Sequence, residues 1–111
     1  MTTPILLTSA SGLRVQINTN GSLRRIDHRD VVVNLFPGNE VEGGPANLYL
    51  RLRGDRIQWL PLLGPRSPAR YRIRDDAFVA RGEWSHVRFR VALRLAHSAP
   101  AWFWHVALEN I

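Results

Sequence analysis

Glu40 and Glu42 stand two residues apart in the stretch NLFPGNEVEGGPANLYLR, residues 34–51, and a pair of carboxylates can divide acid and base work on a glycosidic bond. Residues at that spacing face the same way when the backbone is extended. Gly38, Gly43, Gly44 and the neighbouring prolines leave the conformation open, and the ordinary alternative is a solvated turn whose carboxylates meet backbone N–H groups or nearby arginines. The glycines do not form a phosphate cradle. Such a cradle needs a helix N-terminus after the glycines, and here the chain runs into the β-like NLYLRLR.

Four tryptophans offer a second chemistry, because an indole can stack on the C–H face of a sugar ring while its N–H bonds a hydroxyl. Trp59 and Trp84 sit beside turns, where a cleft could form; Trp102 and Trp104 continue an apolar face and read as core. With Glu40 and Arg66, Trp59 and Trp84 are the candidate carbohydrate-binding residues. The histidines, His28, His86, His97 and His105, show no i, i+4 pairing and no cysteine partners, so no metal site is expected. Arginines recur in alternating ladders: Arg51 and Arg53; Arg70, Arg72 and Arg74; Arg88, Arg90 and Arg94. They describe the wet side of an antiparallel sheet, with acidic residues expected across the strand. Aligned ladders would instead make a basic face able to take phosphates, on which Tyr71 could stack bases.

The elements that must carry these residues are strands. In VRFRVALRLA, Val87, Phe89, Val91, Leu93 and Leu95 alternate with a largely cationic set. Asn20-Gly21, between LRVQI and SLRRIDH, predicts a hairpin with a type I′ turn. VVVNLF, NLYLRLR, RIQWLPLL, ARYRIR, AFVARGEW and AWFWHVALEN are each bounded by turn residues, with turns expected at Gly54-Asp55 and Asp75-Asp76. Short strands at this spacing predict an all-β, antiparallel β-sandwich or barrel. AWFWHVALEN is apolar on both faces near its start, which suits an inner strand covered from two sides. A partner chain or a longer domain would have to supply that cover.

A chain of 111 residues fits a single domain, residues 1–111, with one modest core. There is no cysteine, so neither disulfides nor thiolate metal sites are available, and the cytoplasm is the default location. No apolar run reaches the length of a membrane span, and the start, MTTPILLTSASG, lacks the features of a signal peptide. The net charge of +6 comes with 15 basic residues, all arginine. Clustering decides whether such charge binds a polyanion.

The stretch NLFPGNEVEGGPANLYLRLRG, followed by PLLGPRSPARYRI, ARGEW and APAWFWHVALEN, resembles the N-terminal β-sandwich region of glycoside hydrolase family 94, formerly glycosyltransferase family 36. It is most similar to members acting on β-1,2-glucans, the 1,2-β-oligoglucan phosphorylases and the phosphorylase-like part of cyclic β-1,2-glucan synthases. The resemblance runs from about Val31 to the end. It implies part of a galactose-mutarotase-like super-sandwich, in a parent enzyme that cleaves a β-glucosidic bond with phosphate and inversion. Phosphate is the nucleophile, so such an enzyme needs a single general acid, which in the family lies in an (α/α)6 barrel. Nothing here matches that barrel, and no catalytic residue or cofactor carries over. The expected function is therefore a non-catalytic, structural and carbohydrate-binding domain, the front part of a longer one. Its expected partners are a β-glucan or oligosaccharide and a helical catalytic domain. A self-associating β-module, forming homo-oligomers, and a basic nucleic-acid-binding domain are the alternatives.

Overall fold

The computed structural model describes residues 4–34 and 36–111, so that Leu35, within the expected VVVNLF strand, and Met1 to Thr3 lie outside the described residues. Among the described residues ten strands follow in chain order: β1 (Ile5–Thr8), β2 (Leu13–Ile17), β3 (Leu23–His28), β4 (Val31–Val32), β5 (Tyr49–Arg53), β6 (Ile57–Pro61), β7 (Arg70–Arg74), β8 (Ala77–Trp84), β9 (Val87–Leu95) and β10 (Trp102–Asn110). They form an antiparallel sheet β1-β2-β3-β4, a second antiparallel sheet β10-β9-β8-β7, and a separate hairpin β5-β6. The chain is an all-β sandwich.

Alternation explains which faces meet. Val15, Ile17, Leu23 and Ile26 from the first sheet share one buried cluster with Phe78, Ala80, Phe89, Val91 and Leu93 from the second. Leu62 and Leu63, just after β6, close one end of that cluster, and Leu48, Leu50 and Leu60 pack the hairpin against it. Each Phe or Leu so buried contributes about 1.5–3 kcal/mol relative to exposure. Leu23 and Ile26 are three apart, yet both face inward. A β-bulge makes this possible: Ile17 pairs with Leu23 and Gln16 with Arg25, leaving Arg24 as an extra residue that flips the strand's phase. At one corner the Ala10 N–H donates to the His97 carbonyl, 3.1 Å away, tying the β1-β2 turn to the segment after β9.

The turns follow the expectation in place but not in type. The β2-β3 hairpin is present, but it is not a type I′ turn: the Gly21 N–H bonds the Asn18 carbonyl at 2.9 Å, and within the loop Gly21 has a positive φ, 87°, whereas Asn20 does not. Two-residue turns with both φ angles positive occur instead at Asp75-Asp76 (50° and 61°) and Ser85-His86 (50° and 69°). Gly54, Asp55 and Arg56 close the β5-β6 hairpin as expected, with Arg53 opposite Ile57.

Strand β10 departs from the expectation. It lies at the edge of its sheet, next to β9 only, rather than at an inner position. Trp102 and Trp104 pack on the core cluster, while Val106 and Leu108 on the same face are 49% and 56% exposed. Tyr71 is also displaced from its expected role. It faces away from the arginines of its own strand and stacks on Phe78, ring centroids 5.5 Å apart at 19°.

Tyr71 and Gly21 meet where the sheets face each other. A Cβ on Gly21 would collide with the Tyr71 ring, so Gly21→Ala combines a steric clash with an unfavourable φ. Gly21→Ala should lower the melting temperature clearly, whereas Gly54→Ala, with its nearest neighbour 4.0 Å away, should leave it nearly unchanged. Burial raises the Tyr71 hydroxyl above its ordinary 10.0. The folded state therefore holds the neutral phenol longer than the unfolded chain does. The contribution is complete below pH 10 and is lost as pH rises through the raised value, so Tyr71→Phe should flatten the alkaline fall in stability measured by urea titration.

Candidate functional site: an aromatic groove beside the central hairpin

Hairpin β5-β6 turns Leu50 and Leu60 toward the core, so alternation sends Tyr49, Arg51, Ile57 and Trp59 outward. Pairing places Arg51 opposite Trp59 and Tyr49 opposite Pro61, which makes Tyr49 and Trp59 diagonal neighbours on one face. Their rings meet edge to face, centroids 5.6 Å apart at 66°, and each residue is 56% exposed. Phe36, Val41, Pro45, Pro61 and Pro65 extend this pair into a groove of ≈ 390 Å³, with Glu42 and Arg66 as its charged walls.

The groove's other wall is the 36–47 loop, and its shape is set by three asparagines. The Asn39 Oδ1 accepts the N–H groups of Val41 (2.8 Å) and Glu42 (2.9 Å), while its own N–H donates to the Glu42 carbonyl at 2.8 Å. The Asn20 Nδ2 in turn holds the Asn39 carbonyl at 2.8 Å. The Asn47 amide spans loop and strand: Nδ2 donates to the Leu63 carbonyl (2.9 Å), and Oδ1 accepts from the Leu48 and Leu63 N–H groups at 2.7 and 3.2 Å. Within this loop Gly38 packs so closely that a Cβ would stand 2.8 Å from the carbonyls of Gly43 and Leu23.

The structure brings Trp59 and Arg66 together and separates the other two expected binding residues. Glu40 lines a different depression, with Asn18, Asn20 and Arg24. Trp84 closes the β8-β9 turn opposite Val87 and does not line the groove. Glu40 and Glu42 are both exposed, and asparagine rather than either carboxylate organises their turn. Among the described residues no three histidine, aspartate or glutamate side chains converge on a metal position. Tyr49 and Phe36 were missing from the expected set. Tyr49 was accessible from the Gly54-Asp55 turn, because that turn fixes which residues of the two strands share a face.

A family model described as the SOGP N-terminal domain matches residues 16–111. The chain belongs to that family. No curated protein matches it. The match corrects the assignment expected from the sequence: the matching family is the SOGP N-terminal domain and not glycoside hydrolase family 94. The motifs behind that resemblance serve here as turns and strands of a sandwich. The reading as part of a glucan phosphorylase-like, carbohydrate-active enzyme falls with it, and the match supports neither the self-associating module nor the nucleic-acid-binding domain.

In this SOGP N-terminal domain, Asn47 has both amide ends committed to backbone, so it shapes the groove and has little left to offer a ligand. Asn47→Ala would leave backbone groups of the half-buried Leu48 and the buried Leu63 short of partners, at roughly 1–3 kcal/mol. Chemical denaturation should register that loss, and Trp59 fluorescence should shift as the loop moves from the hairpin.

Proposed function

We propose that this domain is a binding module for an extended peptide segment, with the Tyr49–Trp59 notch as its anchor. The carrying observation is the edge-to-face pair itself, exposed on a strand face that alternation would ordinarily make polar. Two rings at 66° form a V-shaped notch and not a flat platform. A notch of this kind, walled by Pro45, Pro61 and Pro65, suits the ridge of a polyproline-type segment, whose preformed backbone loses little entropy on docking. Few of the lining side chains are polar, and the rest of the groove's polar surface is backbone. With Asn47 committed, Glu42, Arg66 and the Trp59 and Tyr49 polar tips remain, enough to bond a few carbonyls and one flanking charge. A sugar, with a hydroxyl on most ring carbons, calls for a denser set. The family's description as an N-terminal domain supports a partner segment belonging to a longer assembly.

The test is a titration with synthetic proline-rich peptides carrying either arginine or glutamate flanks, read by calorimetry, beside a panel of soluble oligosaccharides. Binding of a peptide by the intact domain, lost in Trp59→Ala while the melting temperature holds, is the expected result. Trp59 is 56% exposed, so its removal should change stability by no more than about 1 kcal/mol. Binding of an oligosaccharide and of no peptide would overturn the reading, as would peptide binding that survives Trp59→Ala.

A further inference from the structure

The outer face of the β10-β9-β8-β7 sheet carries a charge arrangement unrelated to the groove. Cross-strand pairing puts Arg70 opposite Arg81, and Arg81 opposite Arg90, so three arginines stand in one row across β7, β8 and β9. Directly paired residues project to the same face, and adjacent strands are about 4.8 Å apart. The neighbouring row has the opposite design. There Glu83 faces Arg88 and Arg88 faces Glu109, with ion-pair distances of 3.1 and 2.6 Å. Both glutamates lean on Arg88, which raises its affinity for the proton, and among the described residues no ion pair reaches Arg70, Arg81 or Arg90.

Arg72, Arg74 and Arg94 extend the cationic surface along the same face. Beneath it Ala77, Val79 and Ala92 are buried although they point away from the main core, so the long side chains around them cover a small apolar floor. Acidic residues expected across the strands are therefore present in one row and replaced by arginine in the next. Like charges placed directly opposite each other destabilise a sheet. A surface that keeps them is arranged for an anion that is supplied from outside.

We propose that this face docks a carboxylate-rich protein segment, with the Arg70–Arg81–Arg90 row at its centre. Arginine's planar fork takes carboxylates two bonds at a time, and a ≈ 660 Å³ depression gives the segment a seat: Arg70, Arg81 and Arg90 line it, together with Arg88 and the Glu83 that neutralises Arg88. An acidic protein fits better than a nucleic acid. Phe103, opposite Arg94, is an exposed ring on this face, whereas Tyr71 is turned into the core and Tyr49 and Trp59 belong to the hairpin, so successive bases have no run of rings to stack on.

The experiment is fluorescence anisotropy of a labelled oligoglutamate peptide at low ionic strength, with single- and double-stranded DNA as competing ligands. Arg81→Glu is the decisive variant, because it places a carboxylate between Arg70 and Arg90. It should weaken oligoglutamate binding roughly ten-fold or more while raising the low-salt melting temperature, and oligoglutamate should raise the melting temperature of the unaltered domain. Arg51→Glu, on the hairpin, should do neither. Equal loss with Arg51→Glu would mean that net charge alone is read, and tighter binding of DNA than of oligoglutamate would assign the face to nucleic acid; either result overturns the proposal. So would a melting temperature unmoved by Arg81→Glu with binding retained.

Discussion

One apolar seam holds this molecule together: Phe78, Phe89, Val91 and Leu93 on one side, Leu13, Val15, Ile17, Leu23 and Ile26 on the other. Neither four-stranded sheet could bury its inner face alone, so each is the other's solvent shield. The seam dictates where everything else can go. Gly21 must remain without a side chain because Tyr71 occupies the space above it, and β3 needs its bulge at Arg24 because otherwise Leu23 and Ile26 could not both reach the seam. Hairpin β5-β6 joins through Leu50 and Leu60, which leaves its other face free to carry aromatic residues.

Both surfaces with evident chemistry lie on the backs of elements whose fronts face the seam. On the hairpin, large apolar side chains stand where polar ones would be cheaper; on the outer sheet face, arginine stands opposite arginine where an acid would be cheaper. These departures from local rules cost stability, and the buried seam offsets that cost. Sequences that are otherwise consistent tend to break such rules where they bind something. The well-satisfied remainder makes the contrast clear: among the described residues no buried side-chain nitrogen or oxygen lacks a hydrogen-bond partner.

The family match and the structure work at different levels. Membership in the SOGP N-terminal domain family covers residues 16–111, the greater part of the sandwich. It names the domain without saying what its grooves hold. The motifs that suggested a sugar-active enzyme are accounted for by architecture: GNEVEGG is a turn organised by Asn39, ARGEW is the second half of β8, and the tryptophans of AWFWHVALEN lean on the core from an edge strand.

Period-two alternation and turn residues made β2, β3, β5, β6, β7, β8, β9 and β10 legible in the sequence, because strand formation and chain reversal are decided within a few residues. The inward set Phe89, Val91 and Leu93 followed directly from that pattern. The same alternation already opposed a surface role for Tyr71, which lies between Arg70 and Arg72. Pairing between strands is another matter. A shift of one residue moves every side chain to the other face, and only the assembled turns and seam select one register. The tertiary structure therefore decided that Arg70, Arg81 and Arg90 stand in a row, and that Glu83, Arg88 and Glu109 neutralise the next. It also separated Glu40 and Trp84 from Trp59 and Arg66, since proximity across a sandwich depends on long-range packing that no local pattern encodes.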